Sequence, residues 1–138
     1  MAANILVGRF FYGHAVTPGW TLTQNGARTT RPAFLRSHTF DVHFHAPFAS
    51  NPVVVLGINH LEVDMFDPGV VRNPAPFPKL RYSFHPENIS PTGFQMALRV
   101  WDATKIWYIG GIWTAYAQGV IDAGASVSGP FEIVADQT

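Results

Sequence analysis

Ile89-Ser90-Pro91-Thr92-Gly93-Phe94-Gln95-Met96-Ala97-Leu98-Arg99-Val100-Trp101-Asp102-Ala103-Thr104-Lys105-Ile106-Trp107-Tyr108-Ile109-Gly110-Gly111-Ile112-Trp113 is the stretch that decides the fold. Two turn segments, around Pro91-Thr92 and Asp102-Ala103, punctuate two apolar runs. In residues 93–101, Phe94, Met96, Leu98 and Val100 alternate with Gln95, Ala97 and Arg99. A period of two is that of a strand with one face in a core. In residues 105–118, Trp107, Ile109, Gly111, Trp113 and Ala115 fall on one side, and Ile106, Tyr108, Ile112 and Tyr116 on the other. Both sides are apolar, so one is expected to pack on the core and the other on a neighbouring subunit. Gly110-Gly111 predicts a bulge or a close approach of backbones.

Working outward, residues 4–12 form an apolar, aromatic run that predicts a first strand. Thr17-Pro18-Gly19-Trp20 reads as a turn, and residues 21–33 as a polar loop holding Asn25-Gly26. Residues 36–46 alternate again, with Phe40, Val42 and Phe44 on one face and Asp41, His43 and His45 on the other. Residues 53–63 are β-branched and apolar on both faces, which predicts a central strand. Pro68, Gly69, Pro74, Pro76 and Pro78 make residues 67–78 an irregular loop, suited to a binding rim or to a stiff connector. A further strand is expected at residues 79–85 and a short one at Phe131–Val134. The pattern is all-β: an antiparallel β-sandwich of about six strands. Residues 1–118 make the sandwich domain, and 119–138 a C-terminal extension with a possible extra edge strand.

Composition narrows the function classes. The chain has 138 residues, enough for one core-forming domain. Hydrophobic residues reach 47% while charged residues are only 13%. So little charge leaves apolar surface to be hidden in an oligomer. The net charge of zero argues against nucleic-acid binding, which needs a basic footprint. No cysteine is present, so disulfide and thiolate chemistry are excluded. No apolar run approaches the roughly 18 residues of a membrane span. Without a leader pattern the sequence reads as cytoplasmic or non-classically secreted.

Enzyme signatures are sparse. No phosphate loop, nucleophile elbow or metalloprotease helix motif appears. His43 and His45 share a strand face. With His60 or His85 and a carboxylate such as Asp41 or Glu62 they could form a metal site of an enzyme. Glu62 and Asp64 also share a face, but one strand leaves no room for a scissile glycosidic bond between them. A sugar site fits the residues better. It needs an aromatic face for the C–H patch of a pyranose, acceptors for hydroxyls, and donors for hydroxyl oxygens. Trp101, Asp102, Arg81 and Trp107 supply these from neighbouring turns and strand ends. The backbone at Asn25 and Gly26 adds donors. No cofactor is called for.

The order and spacing of several stretches resemble the H-type lectin family, that of the snail agglutinins and the C-terminal domain of the slime-mould discoidins. Asn51-Pro52-Val53 through Leu61-Glu62-Val63-Asp64 is similar to the family's central strand. Leu80-Arg81 is similar to the start of the next strand. Ser90-Pro91-Thr92-Gly93-Phe94 resembles its Ser-x-Thr-Gly-Phe turn, and Trp101 through Trp113 its Trp-x-x-Thr-x-x-Tyr…Trp segment. Gly19-Trp20 adds a weaker match. The resemblance implies a six-stranded sandwich that forms a homotrimer. Its sugar sites would lie at protomer interfaces and take galactose or N-acetylgalactosamine, with no metal. Arg81 then matches the family's sugar-binding arginine, Trp101 the platform tryptophan, and Gly26 a loop glycine. Asp102 stands where snail lectins have a histidine, and Trp107 where they have a tyrosine. Arg28 lies near the place of the family's hydroxyl-gripping loop aspartate. The alternative reading is a trimerisation module for a larger assembly, without a sugar site.

Overall fold

A computed structural model describes residues 2–24, 35–65, 80–101 and 104–119. Six strands follow one another: β1 (Ile5–Gly13), β2 (Arg36–His43), β3 (Val53–Asp64), β4 (Tyr82–Ser90), β5 (Gly93–Val100) and β6 (Lys105–Tyr116). They form two three-stranded antiparallel sheets, β1-β6-β3 and β2-β5-β4. The sheets face each other across one core that includes Phe10, Val54, Phe94, Met96, Leu98, Val100, Ile106, Ile109 and Ala115. Rings close the gap between the layers. Tyr12 stacks on Phe40 with centroids 3.6 Å apart, and Trp113 meets Phe44 at 5.7 Å and Phe94 at 5.5 Å. The expected strand at 131–134 lies outside the described residues. No described helix is long and apolar enough to cross a membrane.

The alternation read in residues 36–43 and 93–100 is present. Phe94, Met96, Leu98 and Val100 are buried, and Asp41 and His43 are exposed. Ala97 is also fully buried although it lies on the outer face. Its short side chain sits between its ladder partners Thr39 and His85, which cover it. Turn chemistry matches as well. Gly19 has φ 73°, a conformation that costs glycine little. The Ser90 hydroxyl accepts from the Thr92 N–H at 3.2 Å, closing the β4–β5 turn.

Two expectations need correction, and both corrections come from bulges. Residues 53–63 are not central. β3 is an edge strand and β6 is the centre of its sheet. The register jumps from Ile58 to His60, leaving Asn59 as an extra residue. The side chains turned toward the core change from Val54 and Leu56 to Leu61 and Val63, so both faces of the run look apolar when read as one strand. Likewise Glu62 pairs with Tyr108 but Val63 with Ile106, which makes Trp107 the extra residue of β6. Ile106 therefore joins Ile109 in the core instead of facing away from it.

The glycine pair does mark a close approach. A Cβ on Gly111 would collide with the carbonyl oxygen of Gly57 on β3, and one on Gly110 would lie 2.7 Å from the Phe11 ring. At these two positions the seating of β6 between β1 and β3 requires residues without side chains.

The two outer faces differ sharply. On β2-β5-β4 the groups satisfy one another: Asn88 donates to Gln95 at 2.6 Å and Gln95 to Asp41 at 2.9 Å. Arg99 donates to both oxygens of Glu87, at 2.9 and 3.3 Å, and His85 meets Glu87 at 2.7 Å. The Arg99 hydrogen bond, followed by that of His85, holds the Glu87 carboxyl below its ordinary pKa. On β1-β6-β3 the outer face carries Ile5, Val7, Phe11, Val55 and Ile112, from 42% exposed at Ile112 to 60% at Val7. One cation, Arg9, lies among them as the ladder partner of Ile112.

His38 fixes the Trp20-Thr21 segment. It stacks on Trp20 at 4.8 Å, and its Nε2 accepts from the Thr21 N–H at 3.1 Å. An accepting Nε2 requires a neutral ring with its proton on Nδ1. Burial lowers the pKa of His38 from the ordinary 6.5. The folded state then binds this proton more weakly than the unfolded chain does. The stabilisation is present above pH 6.5 and is lost as pH falls toward the folded value. The melting temperature is expected to fall between pH 7.5 and 5.5. In His38→Gln, whose amide oxygen still accepts from Thr21, that fall should be smaller. Equal slopes for the two proteins would contradict the assignment.

Candidate functional site

Antiparallel pairing collects specific chain ends at one pole of the sandwich. The C-terminal ends of β1, β3 and β5 and the N-terminal ends of β2, β4 and β6 meet there. Arg81, Trp101, Trp107, Asp64 and the residue 20–24 segment all belong to this pole.

The backbones of Arg81 and Trp101 adjoin at this pole. The Trp101 N–H donates to the Arg81 carbonyl at 3.1 Å, extending the β4–β5 ladder one step past the strands. The Arg81 N–H donates to Thr104 Oγ1 at 2.8 Å, and the Thr104 N–H to the Trp101 carbonyl at 3.2 Å. Thr104, fully buried, thereby ties Arg81 to Trp101. Arg81 is exposed and Trp101 half-buried. The sequence contained no signal for the Thr104 tie. Asp102, Asn25 and Gly26 lie outside the described residues.

The approach to residues 25–34 is firmly held. Trp20 Nε1 donates to the Ile106 carbonyl at 2.8 Å, and the Ile106 N–H donates to the Leu22 carbonyl at 3.0 Å. Buried Arg36 donates from Nη1 to the Gln24 carbonyl at 2.6 Å. Residues 20–24 are therefore anchored to β2 and β6, the strands that also border the rim.

Trp107 stands on the other sheet of the same pole. Its Nε1 donates to Asp64 Oδ2 at 2.9 Å, and the His14 ring meets it edge-on at 5.1 Å. Lys105, nearly buried, places Nζ 3.7 Å from Asp64 Oδ1. Sequence reading paired Asp64 with Glu62. The structure instead ties Asp64 to Trp107, while Glu62 bonds His60 at 2.7 Å.

The metal reading loses its geometry. His43 is on the outer face of β2-β5-β4, and His60 is exposed on β3 in the other sheet. His85 is engaged by Glu87. Among the described residues no group of three His, Asp or Glu could hold a metal ion.

Comparison with solved structures finds the same fold in discoidin II of Dictyostelium discoideum. The wild-type protein superimposes with a TM-score of 0.56 at 18% identity, covering 80% of this chain and 35% of that one. The native recombinant protein gives 0.58 at 18% identity, covering 82% and 36%. The chain thus spans about a third of the discoidin II chain. A search of curated proteins found no match. The family described as H-type lectin domain matches residues 39–116, from within β2 to the end of β6 and more than half of the chain. With its strand order and its polar-aromatic pole in place, the chain belongs to the H-type lectin domain family.

Proposed function

We propose that this protein is a carbohydrate-binding lectin without enzymatic activity, taking glycans of the galactose or N-acetylgalactosamine type at the pole of the sandwich. The observation that carries the reading is the Arg81–Trp101 junction in a chain of the H-type lectin family. Arg81 is the donor to sugar hydroxyl oxygens. Trp101 and Trp107 pack the apolar C–H face. Asp102 accepts from hydroxyls, and the backbone at Asn25 and Gly26 completes the contact from the loop. A hydrogen bond to a charged partner contributes about 1.5–3 kcal/mol. A monosaccharide held by a few such bonds on an open rim binds weakly.

The assembly compensates for weak single sites. The outer face of β1-β6-β3 supports a homotrimer, because its Ile5, Val7, Phe11, Val55 and Ile112 side chains cannot all remain in water without cost. Fully burying one such side chain contributes about 1.5–3 kcal/mol. A shallow groove lined by Arg9, Phe11, Asn59, Gly110 and Ile112 gives this face relief into which a neighbour's side chain fits. Protomer contact would bring elements of two chains to each rim. Several sites bound at once raise avidity by about 10²–10⁴.

The same apolar face also favours a second reading, in which the domain only trimerises a larger assembly. Two experiments separate the possibilities. On an array of galactose- and N-acetylgalactosamine-terminated glycans, the protein is expected to bind, and Arg81→Ala and Trp101→Ala each to lose at least tenfold in half-saturating concentration. Parent-like binding by both variants would refute the site, and an intact oligomer with no array signal would favour the assembly role. In sedimentation velocity, Ile112→Glu is expected to give monomers with the parent's circular dichroism. The new carboxylate faces Arg9 within the protomer but would be buried at the interface. A variant that sediments with the parent would place the contact elsewhere.

A further inference from the structure

The Trp107 bulge aims an indole out of the core and against a carboxylate. A bulge costs ladder hydrogen bonds, and in exchange it re-aims a side chain. Here Ile106 and Ile109 both remain fully buried, while Trp107 is displaced toward the pole. Its N–H points to Asp64 Oδ2 at 2.9 Å. The backbone makes the arrangement rigid, since the His14 N–H donates to the Trp107 carbonyl at 2.8 Å and the His14 ring braces the indole from the side. The ends of β1, β3 and β6 therefore form a corner of His14, Asp64, Lys105 and Trp107.

Asp64 is poorly placed for a purely structural task. A carboxylate serving only to neutralise buried Lys105 would be drawn into close contact and covered. Instead the two are 3.7 Å apart, and the Asp64 side chain is 45% exposed against 7% for Lys105. The indole N–H orients the carboxylate while leaving much of it open to solvent.

We propose that Asp64, with Trp107 and His14 beside it, is a hydroxyl-accepting subsite for a neutral pyranose. The carboxylate accepts from two adjacent ring hydroxyls, and the indole packs on the C–H face next to them. This rests on the lectin reading and adds to it a carboxylate on the sheet opposite Arg81 and Trp101. A ligand made of hydroxyls suits the corner because each hydroxyl donates without bringing charge. Lys105 beside the carboxylate disfavours a cation. A sugar carboxylate or sulfate placed against Asp64 would meet like charge. Neutral sugars are thus selected over acidic ones.

The variant Asp64→Asn isolates this role. Its amide oxygen still accepts from the Trp107 N–H, so the tie between β3 and β6 is kept while one acceptor becomes a donor. Parent, Asp64→Asn and Arg81→Ala are compared on galactose-, N-acetylgalactosamine-, mannose- and fucose-terminated glycans. The strongest monosaccharide is then titrated alongside its mono-deoxy analogues. Asp64→Asn is expected to weaken binding at least tenfold. It should cause almost no further loss for the analogue that lacks the contacted hydroxyl, a coupling that a merely structural role would not produce. Parent-like binding by Asp64→Asn, with Arg81→Ala impaired, would overturn the subsite and leave the lectin reading standing. An equal loss on every analogue would also overturn it. No glycan bound by the parent would overturn both. Should Asp64→Asn fail to fold, Asp64→Glu keeps the charge and displaces the oxygens by one methylene. Lost binding in that folded variant supports the subsite, and parent-like binding overturns it.

Discussion

Strand β6 is bounded on both sides, and the way it is seated governs everything around it. It pairs with β1 along one edge and β3 along the other, and at Gly110-Gly111 the Phe11 ring and the Gly57 carbonyl leave no space for a Cβ. Close seating fixes the register, and a fixed register makes each extra residue consequential, because the side-chain period is two. Asn59 on β3 and Trp107 on β6 are the two extras. Each exchanges the inward and outward sets of side chains. Without the second, Ile106 and Ile109 could not both be in the core, and Trp107 would not reach the pole.

The same seating leaves the sandwich with two unlike exteriors. The β2-β5-β4 face is a hydrogen-bonded lattice in which Asp41, Gln95, Asn88, Glu87, Arg99 and His85 partner one another. Water contact suits such a face. The β1-β6-β3 face has aliphatic and aromatic groups around Arg9, and water does not suit it. Association through the second face would set elements of a neighbouring protomer beside the pole. Assembly and ligand binding would then share one border of a small fold. The His38 stack links the core to the pole through Trp20 and Thr21.

Much of the architecture was legible in the sequence. Residues 36–43 and 93–100 alternate with little interruption, and their turns carry the expected proline and glycine, so strand positions and inward faces follow directly. The apolar character of β6 on both faces was also visible and anticipated an outer face that seeks cover. Bulges were not visible. No residue type announces Asn59 or Trp107 as an extra, and a bulged edge strand such as β3 imitates a central one. The rim was legible in part. Arg81 and Trp101 were singled out because they flank turns, and a backbone hydrogen bond joins them. Thr104 and the Asp64–Trp107 bond depend on contacts between distant segments, for which local spacing holds no information. Asp102, Asn25 and Gly26 are in segments outside the described residues.

The central claim is that the pole bordered by Arg81 and Trp101 is where a sugar sits. A crystal structure of the parent protein soaked with its strongest-binding monosaccharide addresses this directly. The account predicts one pyranose at that pole, with its C–H face on a tryptophan and a hydroxyl oxygen within hydrogen-bond reach of the Arg81 guanidinium. A sugar bound instead on the polar β2-β5-β4 face, or at the opposite pole beside Pro91-Thr92, with the Arg81–Trp101 rim empty, would contradict it.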